Sequence, residues 1–369
     1  MPLQVEKMAL SHRCFAIILN EMYLRSRRLL PADVSKTVTM LSFAVSDFVA
    51  RILLWVLPHR LSSRIQENID DIQVTQLSTM QTKTKPRMTL FEGVGATILF
   101  DLALFGTNNW FINFLIKLFT SFQNSWDTPL ASDVAATAAI TEFCQRLSIQ
   151  QEPWIWEKAK EDYESLNDFF SRTYSPEHFP PLGSCDVLAP ACCTMRSYRN
   201  NDGLESLLIK GCDYELANIG IPDSASYANN HILTGYLSRS DCHRFHAPIP
   251  GKAVYLSLEN EQALSASVKF FDGKFNLLND NKRLVVVIEG AGNVRVALVI
   301  IGGVGVNTIV YDSNLETVHK GDLVGSFRAG GSAIALLSSK PLSYTHAFLE
   351  ASADSSQVEV MIGENLASF

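Results

Sequence analysis

The stretch "VRVALVIIGGVGVNTIVYD", Val294 to Asp312, decides the fold. It is a β-branched apolar run punctuated by glycine and asparagine, which reads as strands separated by turns. The same signal recurs on both sides in "KAVYLSL" (Lys252 to Leu258), "RLVVVIE" (Arg283 to Glu289) and "LVGSFRAGGSAIALL" (Leu323 to Leu337). From about Pro180 onward the chain is therefore expected to be β-rich. Upstream the period changes: in "FAVSDFVARILLWVL" (Phe43 to Leu57) and "FINFLIKLF" (Phe111 to Phe119) apolar residues recur at helical spacing. Between these, the polar, Thr-rich "QENIDDIQVTQLSTMQTKTKPRM" (Gln66 to Met88) reads as a linker or mobile loop. The fold class that follows is α+β: a helical N-terminal region, 1–165, packed on a β-rich, two-sheet or barrel-like C-terminal domain, 166–369.

Composition narrows the function. The chain has 369 residues, 47% hydrophobic and 19% charged, enough for a sizeable core, and a net charge of -7 that argues against a nucleic-acid partner. Seven cysteines without a framework spacing, including the adjacent Cys192 and Cys193, point to a reduced, intracellular protein and not to a disulfide scaffold. The first residues make a poor secretory signal; Arg25, Arg27 and Arg28 would suit a mitochondrial leader, and Glu6 and Glu21 count against one. The greasiest region, Val94 to Phe119, is broken by Asp101, Asn108, Asn109, Asn113 and Lys117, so no transmembrane helix is expected. Such helices suit either a core or subunit interface, or a membrane surface with Trp110 and Lys117 at the edges.

Two stretches carry candidate chemistry. In "SFRAGGSAIALL" (Ser326 to Leu337) a strand-like run holds two glycines and a serine. Glycine packs nothing in a strand. The pair marks either a bulge or a strained geometry exposing the Gly331 carbonyl to the Ser332 hydroxyl. In "YLSRSDCHRFHAPIPG" (Tyr236 to Gly251), His243 and His246 stand three apart beside Asp241 and Arg244, and Pro248 and Pro250 favour a turn on which the two rings converge. Two histidines without a third ligand make a weak zinc site, so no metal is expected and a general acid–base role is the reading. The run "IGGVGV" (Ile301 to Val306) lies between strands, without the strand-to-helix context of a dinucleotide loop, and reads as a sheet bend.

These motifs resemble those of the phosphatidylserine decarboxylase family: "DCHRFHAPIPG" is similar to its Asp-Tyr-His-Arg-x-His-x-Pro-x-x-Gly stretch and "FRAGGSA" to its Gly-Ser self-cleavage site. Supporting similarity lies in "SLNDFFSRTY" (Ser165 to Tyr174), "LIKGCDYEL" (Leu208 to Leu216), "NDNKRLVVVIE" (Asn279 to Glu289) and "VHKGDLVGSFRAGGS" (Val318 to Ser332), all in one order. The resemblance implies that the Ser332 hydroxyl attacks the Gly331 carbonyl and that elimination splits the chain there. Loss of ammonia would then leave a covalent pyruvoyl group at position 332, in the place pyridoxal phosphate takes in other decarboxylases. By the same resemblance His246 assists Ser332 during cleavage, His243 returns a proton after CO2 leaves, and Arg244 orients the loop or a carboxylate. Both fragments, as strands of one sheet, are expected to stay associated.

One position departs from the family pattern. Where the family carries an Asp that orients the processing histidine, "LAPACCTM" (Leu188 to Met195) has Cys192, and a thiol of ordinary pKa about 8.5 is a feeble substitute for a carboxylate. Cys192 as a thiolate, or Asp186 or Asp241 lending charge, would rebuild the relay; alternatively Cys192 is a small buried residue and cleavage needs no third member. The Ala-Cys pair and Gly-Gly-Ser also resemble the fungal tryptophan decarboxylases of the same superfamily. The implied substrate therefore carries an α-amino carboxylate and is either phosphatidylserine, giving phosphatidylethanolamine at a membrane surface, or a free aromatic amino acid. A non-cleaving homologue is the third reading. Relatives suggest a homodimer of processed protomers, in the cytoplasm, at a membrane or in mitochondria.

Overall fold

The apolar runs form strands whose alternate residues are buried on opposite faces. The structure is a computed structural model and describes residues 72–85, 129–130, 132–147, 149, 155–199, 206–209, 212–215, 219–227, 231–258, 283–302, 309–328, 332–354 and 357–369. Its strands begin with β1 (Ile72–Gln76), β2 (Thr82–Lys85), β3 (Val187–Leu188), β4 (Cys193–Arg199), β5 (Ser206–Ile209) and β6 (Cys212–Glu215). Next come β7 (His231–Leu237), β8 (Arg244–His246), β9 (Gly251–Leu258), β10 (Arg283–Glu289), β11 (Arg295–Gly302) and β12 (Ile309–Tyr311). The last are β13 (Thr317–Val318), β14 (Leu323–Phe327), β15 (Ser332–Ser338), β16 (Ser343–Tyr344), β17 (Val358–Val360) and β18 (Asn365–Ser368). Three α-helices are described: α1 (Asp133–Arg146), α2 (Leu166–Phe170) and α3 (His346–Asp354).

One large sheet has the order β13-β9-β10-β11-β15-β7-β4-β17-β1-β2, and smaller sheets have the orders β12-β14-β8 and β16-β18-β3. Along β10, β11 and β15, residues such as Val286, Leu298 and Ile334 bury one face of the large sheet against Phe245, Val324 and Phe327 of the β12-β14-β8 sheet. Their neighbours Val285, Val299 and Ala335 bury the other face against Ile219, Ile221 and Tyr227. Burial on both faces explains why these runs lack polar alternation, and it fixes register, because a slip of one residue would exchange the two faces. The described architecture is thus α+β, dominated by a multi-stranded sheet.

Two expectations are corrected. Within the stretch read as a linker, β1 and β2 form an antiparallel hairpin, and β1 adds in parallel to β17, so this segment closes one edge of the large sheet. Its threonines suit a strand and its exposed Lys83 suits a sheet edge, where charge discourages further pairing. An edge strand of threonine and lysine has the composition of a loop. Second, β14 and β15, which flank the double glycine, are not in one sheet: β14 lies between β12 and β8, and β15 lies between β11 and β7. The runs Phe43 to Leu57 and Phe111 to Phe119, residues 303–306 of the glycine-rich bend, and Gly330 and Gly331 lie outside the described residues. No described helix is long and apolar enough to cross a membrane.

Candidate active site

The site grows from the end of β7. After Leu237 the chain turns through Ser238 to Asp241, with the Asp241 N–H donating to the Ser238 carbonyl at 2.9 Å. The Asp241 carboxylate locks this turn by accepting the Ser238 N–H at 2.7 Å and the Ser238 hydroxyl at 2.8 Å, the local pairing for which Ser and Asp are favoured in turns. Two arginines tie the turn to the α2 segment. Arg172, only 2% exposed, donates to the Ser240 carbonyl at 2.6 Å, and its guanidinium lies 4.7 Å and 4.8 Å from the Trp156 and Phe169 rings. Arg244 donates from Nε to the Ser171 carbonyl at 2.8 Å, which places it in loop anchoring.

His243 and His246 follow, the first just ahead of β8 and the second at its end, so the expected turn lies upstream of them, at 238–241. His243 is fully buried, its ring 3.6 Å from the Phe170 ring at an interplanar angle of 31°. His246 is 4% exposed and meets Phe179 edge-on at 5.6 Å. The two rings therefore pack against different partners. Their hydrogen bonding is nonetheless the same: His243 Nδ1 donates to the Asp241 carbonyl at 3.1 Å and His246 Nδ1 to the Gly321 carbonyl at 2.8 Å. A carbonyl only accepts, so each Nδ1 carries the proton and each Nε2 keeps its lone pair. Both Nε2 atoms are buried with no hydrogen-bond partner among the described residues. Burial pushes the His243 pKa well below its ordinary value, against the Asp241 carbonyl, and pushes that of His246 down to about 4, against the Gly321 carbonyl. Both rings are neutral bases near neutral pH.

Cys192 lies elsewhere in this environment. The His246 N–H donates to the Pro190 carbonyl at 2.7 Å, so the Pro190–Cys192 backbone runs beside β8. The Cys192 side chain is buried with Cys242, Trp156 and Ile362, its sulfur 3.8 Å from the Tyr174 hydroxyl. A hydrogen bond to Cys242, together with burial, holds the Cys192 thiol neutral and pushes its pKa well up, while Cys242 is correspondingly lowered by that bond. Among the described contacts the His246 ring is oriented by the Gly321 backbone, not by Cys192, Asp186 or Asp241; Asp186 instead accepts the Phe369 N–H at 3.1 Å. Gly321 has φ of +80°, a conformation that favours glycine, and its N–H donates to the Ala247 carbonyl at 2.9 Å.

The same segment holds both sides of the joint at 331–332. Upstream, β14 pairs antiparallel with β8, with Leu323 opposite His246 and Ser326 opposite Arg244, and the Phe327 N–H donates to the His243 carbonyl at 2.8 Å. Downstream, Ser332 begins β15 opposite Leu237 of β7 and Gly302 of β11. The β7–β8 segment, which carries the histidine loop, thus pairs with both flanks, through β7 downstream and β8 upstream. Sequence reading found the histidines, Asp241 and Arg244, and missed Phe170, Gly321, Arg172 and Lys85. The first three lie in the stretches "SLNDFFSRTY" and "VHKGDLVGSFRAGGS", whereas Lys85 carried no signal.

Fold and site together define an α+β domain with two base-ready imidazoles on a loop that clamps a strand joint. Residues 166–368 match the family model described as Phosphatidylserine decarboxylase, and the chain belongs to that family. It is 30% identical over 203 residues to a phosphatidylserine decarboxylase proenzyme of Chlamydia pneumoniae, covering 54% of this chain and 66% of that protein. It is 31% identical over 180 residues to the proenzyme of that name from Chlamydia trachomatis serovar L2, covering 48% of this chain and 60% of the relative. With the one from Chromobacterium violaceum it shares 25% identity over 257 residues, covering 63% of this chain and 88% of that protein.

Proposed function

We propose that the chain is the precursor of a pyruvoyl-dependent decarboxylase, which cuts itself between Gly331 and Ser332 and then converts phosphatidylserine to phosphatidylethanolamine and CO2. The observation that carries this reading is the pair of buried Nε2 lone pairs, without a partner among the described residues, in the β7–β8 segment whose two strands pair with the two flanks of the joint. In this reading His246 Nε2 takes the Ser332 hydroxyl proton as the oxygen adds to the Gly331 carbonyl, turning the amide into an ester. Removal of the Ser332 α-proton expels the Gly331 carboxylate and leaves a dehydroalanine, which water converts to a ketone with release of ammonia. That ketone supplies an electrophile for the substrate amine and a sink for the electron pair left when CO2 departs. A neutral base site also suits an incoming substrate ammonium. His243, protonated at Nδ1 and free at Nε2, can return a proton at Nε2 only after taking one there, and the ammonium is its source.

The finer expectations belong to the same reading. Outside the β1–β2 hairpin, region 1–165 is helical, its apolar stretches lie on the membrane surface that presents the lipid, and processed protomers pair as a homodimer. Intact mass and denaturing electrophoresis test the cut: a short fragment starting at position 332 with a blocked N-terminus supports it, and an uncut chain overturns it in favour of a non-cleaving homologue. Release of CO2 from phosphatidylserine liposomes supports the lipid substrate. Release from free tryptophan alone replaces it with an amino-acid substrate, the reading to which Cys192 at the family's Asp position lends weight.

A further inference from the structure

Lys85 ends β2, the strand at the edge of the large sheet, well upstream of residues 166–368. Its side chain is only 5% exposed, and its ammonium lies 2.8 Å and 3.0 Å from the two Asp241 carboxylate oxygens and 3.1 Å from a Glu359 oxygen. Burial by itself lowers the pKa of such an amine; the two carboxylates outweigh it and hold the pKa well above the ordinary lysine value. Lys83 also pairs with Glu359, from a more exposed position. Asp241 is therefore engaged on two sides. Its carboxylate takes Lys85 together with the Ser238 N–H and hydroxyl, and its backbone carbonyl takes the His243 Nδ1 proton. Ser238 directly follows Leu237, the register partner of Ser332.

We infer that Lys85 is a positioning residue for self-cleavage, acting through Asp241: its ammonium fixes the Asp241 carboxylate, and with it the turn that ends the strand opposite Ser332 and leads into the histidine loop. The inference rests on the self-cleaving reading. Buried ion pairs add little net stability over apolar residues of similar size, because desolvation offsets their attraction. What a lysine between two carboxylates does supply is one defined geometry, here delivered to a turn 156 residues away along the chain.

A double-mutant cycle on the cutting rate tests this. Full-length precursors of the wild type, Lys85→Met, Asp241→Asn, the double variant and Lys85→Arg are refolded and followed by denaturing electrophoresis, with circular dichroism restricting the comparison to folded protein. Lys85→Met is expected to cut at least about tenfold more slowly, Lys85→Arg to recover most of that loss, and the double variant to cut no more slowly than Asp241→Asn alone, because coupled residues are not additive. The inference is overturned if Lys85→Met cuts at the wild-type rate, if Lys85→Arg is no faster than Lys85→Met, or if the losses multiply in the double variant. A wild type that never cuts removes the self-cleaving reading and this inference together, whereas a cutting wild type with an indifferent Lys85 removes only the inference. Should Lys85→Met not fold, Lys85→Met combined with Glu359→Gln takes its place, since it also removes one of the two negative charges that Lys85 compensates.

Discussion

Lowering the pH should destabilise the uncut chain through His246 by an amount the structure sets. An imidazole ordinarily titrates near 6.5, and burial, only partly opposed by the Gly321 carbonyl, pushes that of His246 down to about 4. Between those values the unfolded chain binds a proton that the folded chain refuses, so stability is fully present above 6.5 and is lost as pH falls toward 4. A gap of about 2.5 pH units at ~1.36 kcal/mol per unit amounts to about 3 kcal/mol. At 4% exposure solvent screens little of it. The nearest charges, Arg244 and Asp322, act in opposite directions and are smaller than the burial effect. The assay is urea unfolding from pH 8 to pH 4 of the Ser332→Ala precursor with and without His246→Gln, and the difference between the two isolates His246 from His243, which titrates in the same sense. The His246 protein should lose about 3 kcal/mol more than the variant on the way to pH 4. Parallel curves, or a difference below ~1 kcal/mol, would mean that the ring is hydrated and titrates normally in the fold, and the buried neutral base would be refuted.

The same neutral base predicts that the rate of self-cutting in the natural precursor stays flat from about pH 8 to pH 5 and declines only toward pH 4; a midpoint near 6.5 contradicts it. Cys192→Ala should leave cutting within about threefold of the wild type, since the thiol contacts Tyr174 and Cys242 and not His246, and a loss beyond about tenfold by gel time course would return Cys192 to the relay. Gly321→Ala should cost about 1–2 kcal/mol in thermal or urea unfolding for an L-residue held at positive φ, with its Cβ 2.7 Å from Leu182 Cδ2, and should slow cutting by moving the carbonyl that orients His246. An unchanged rate would separate that carbonyl from the chemistry.

What could be read in the sequence follows from how local each feature is. The strands were legible because β10, β11 and β15 bury both faces, which forces β-branched apolar runs on each of them. His243, His246 and Asp241 were legible because one short loop carries them all, and proximity in sequence stands in for proximity in space. The hairpin at 72–85 was not, because an edge strand of threonine and lysine has the composition of a loop, and only its pairing with β17 makes it a strand. Lys85 was hidden for the same reason, since neither Asp241 nor Glu359 is near it along the chain. The surroundings of Cys192 were hidden too: its backbone does run beside His246, but the packing of Tyr174, Trp156 and Cys242 takes its side chain into an apolar cluster.

The placement of the joint would let the proposed cut be made without loss of the fold. The chain leaves the β12-β14-β8 sheet at Phe327 and enters the large sheet at Ser332, so the 331–332 bond lies where the chain passes from one sheet to the other. Downstream of it, β15 is held between β11 and β7, β17 between β4 and β1, and β18 between β16 and β3. Each of these central strands keeps a partner from the upstream piece, so the ladders and the two-faced core hold the fragments together with no covalent link. Glu359, paired with Lys85, crosses the same divide. Cut protein should therefore elute as one species in native size exclusion and separate only in denaturant, and fragments that part without denaturant would show that the chain, and not the sheet, had been holding them.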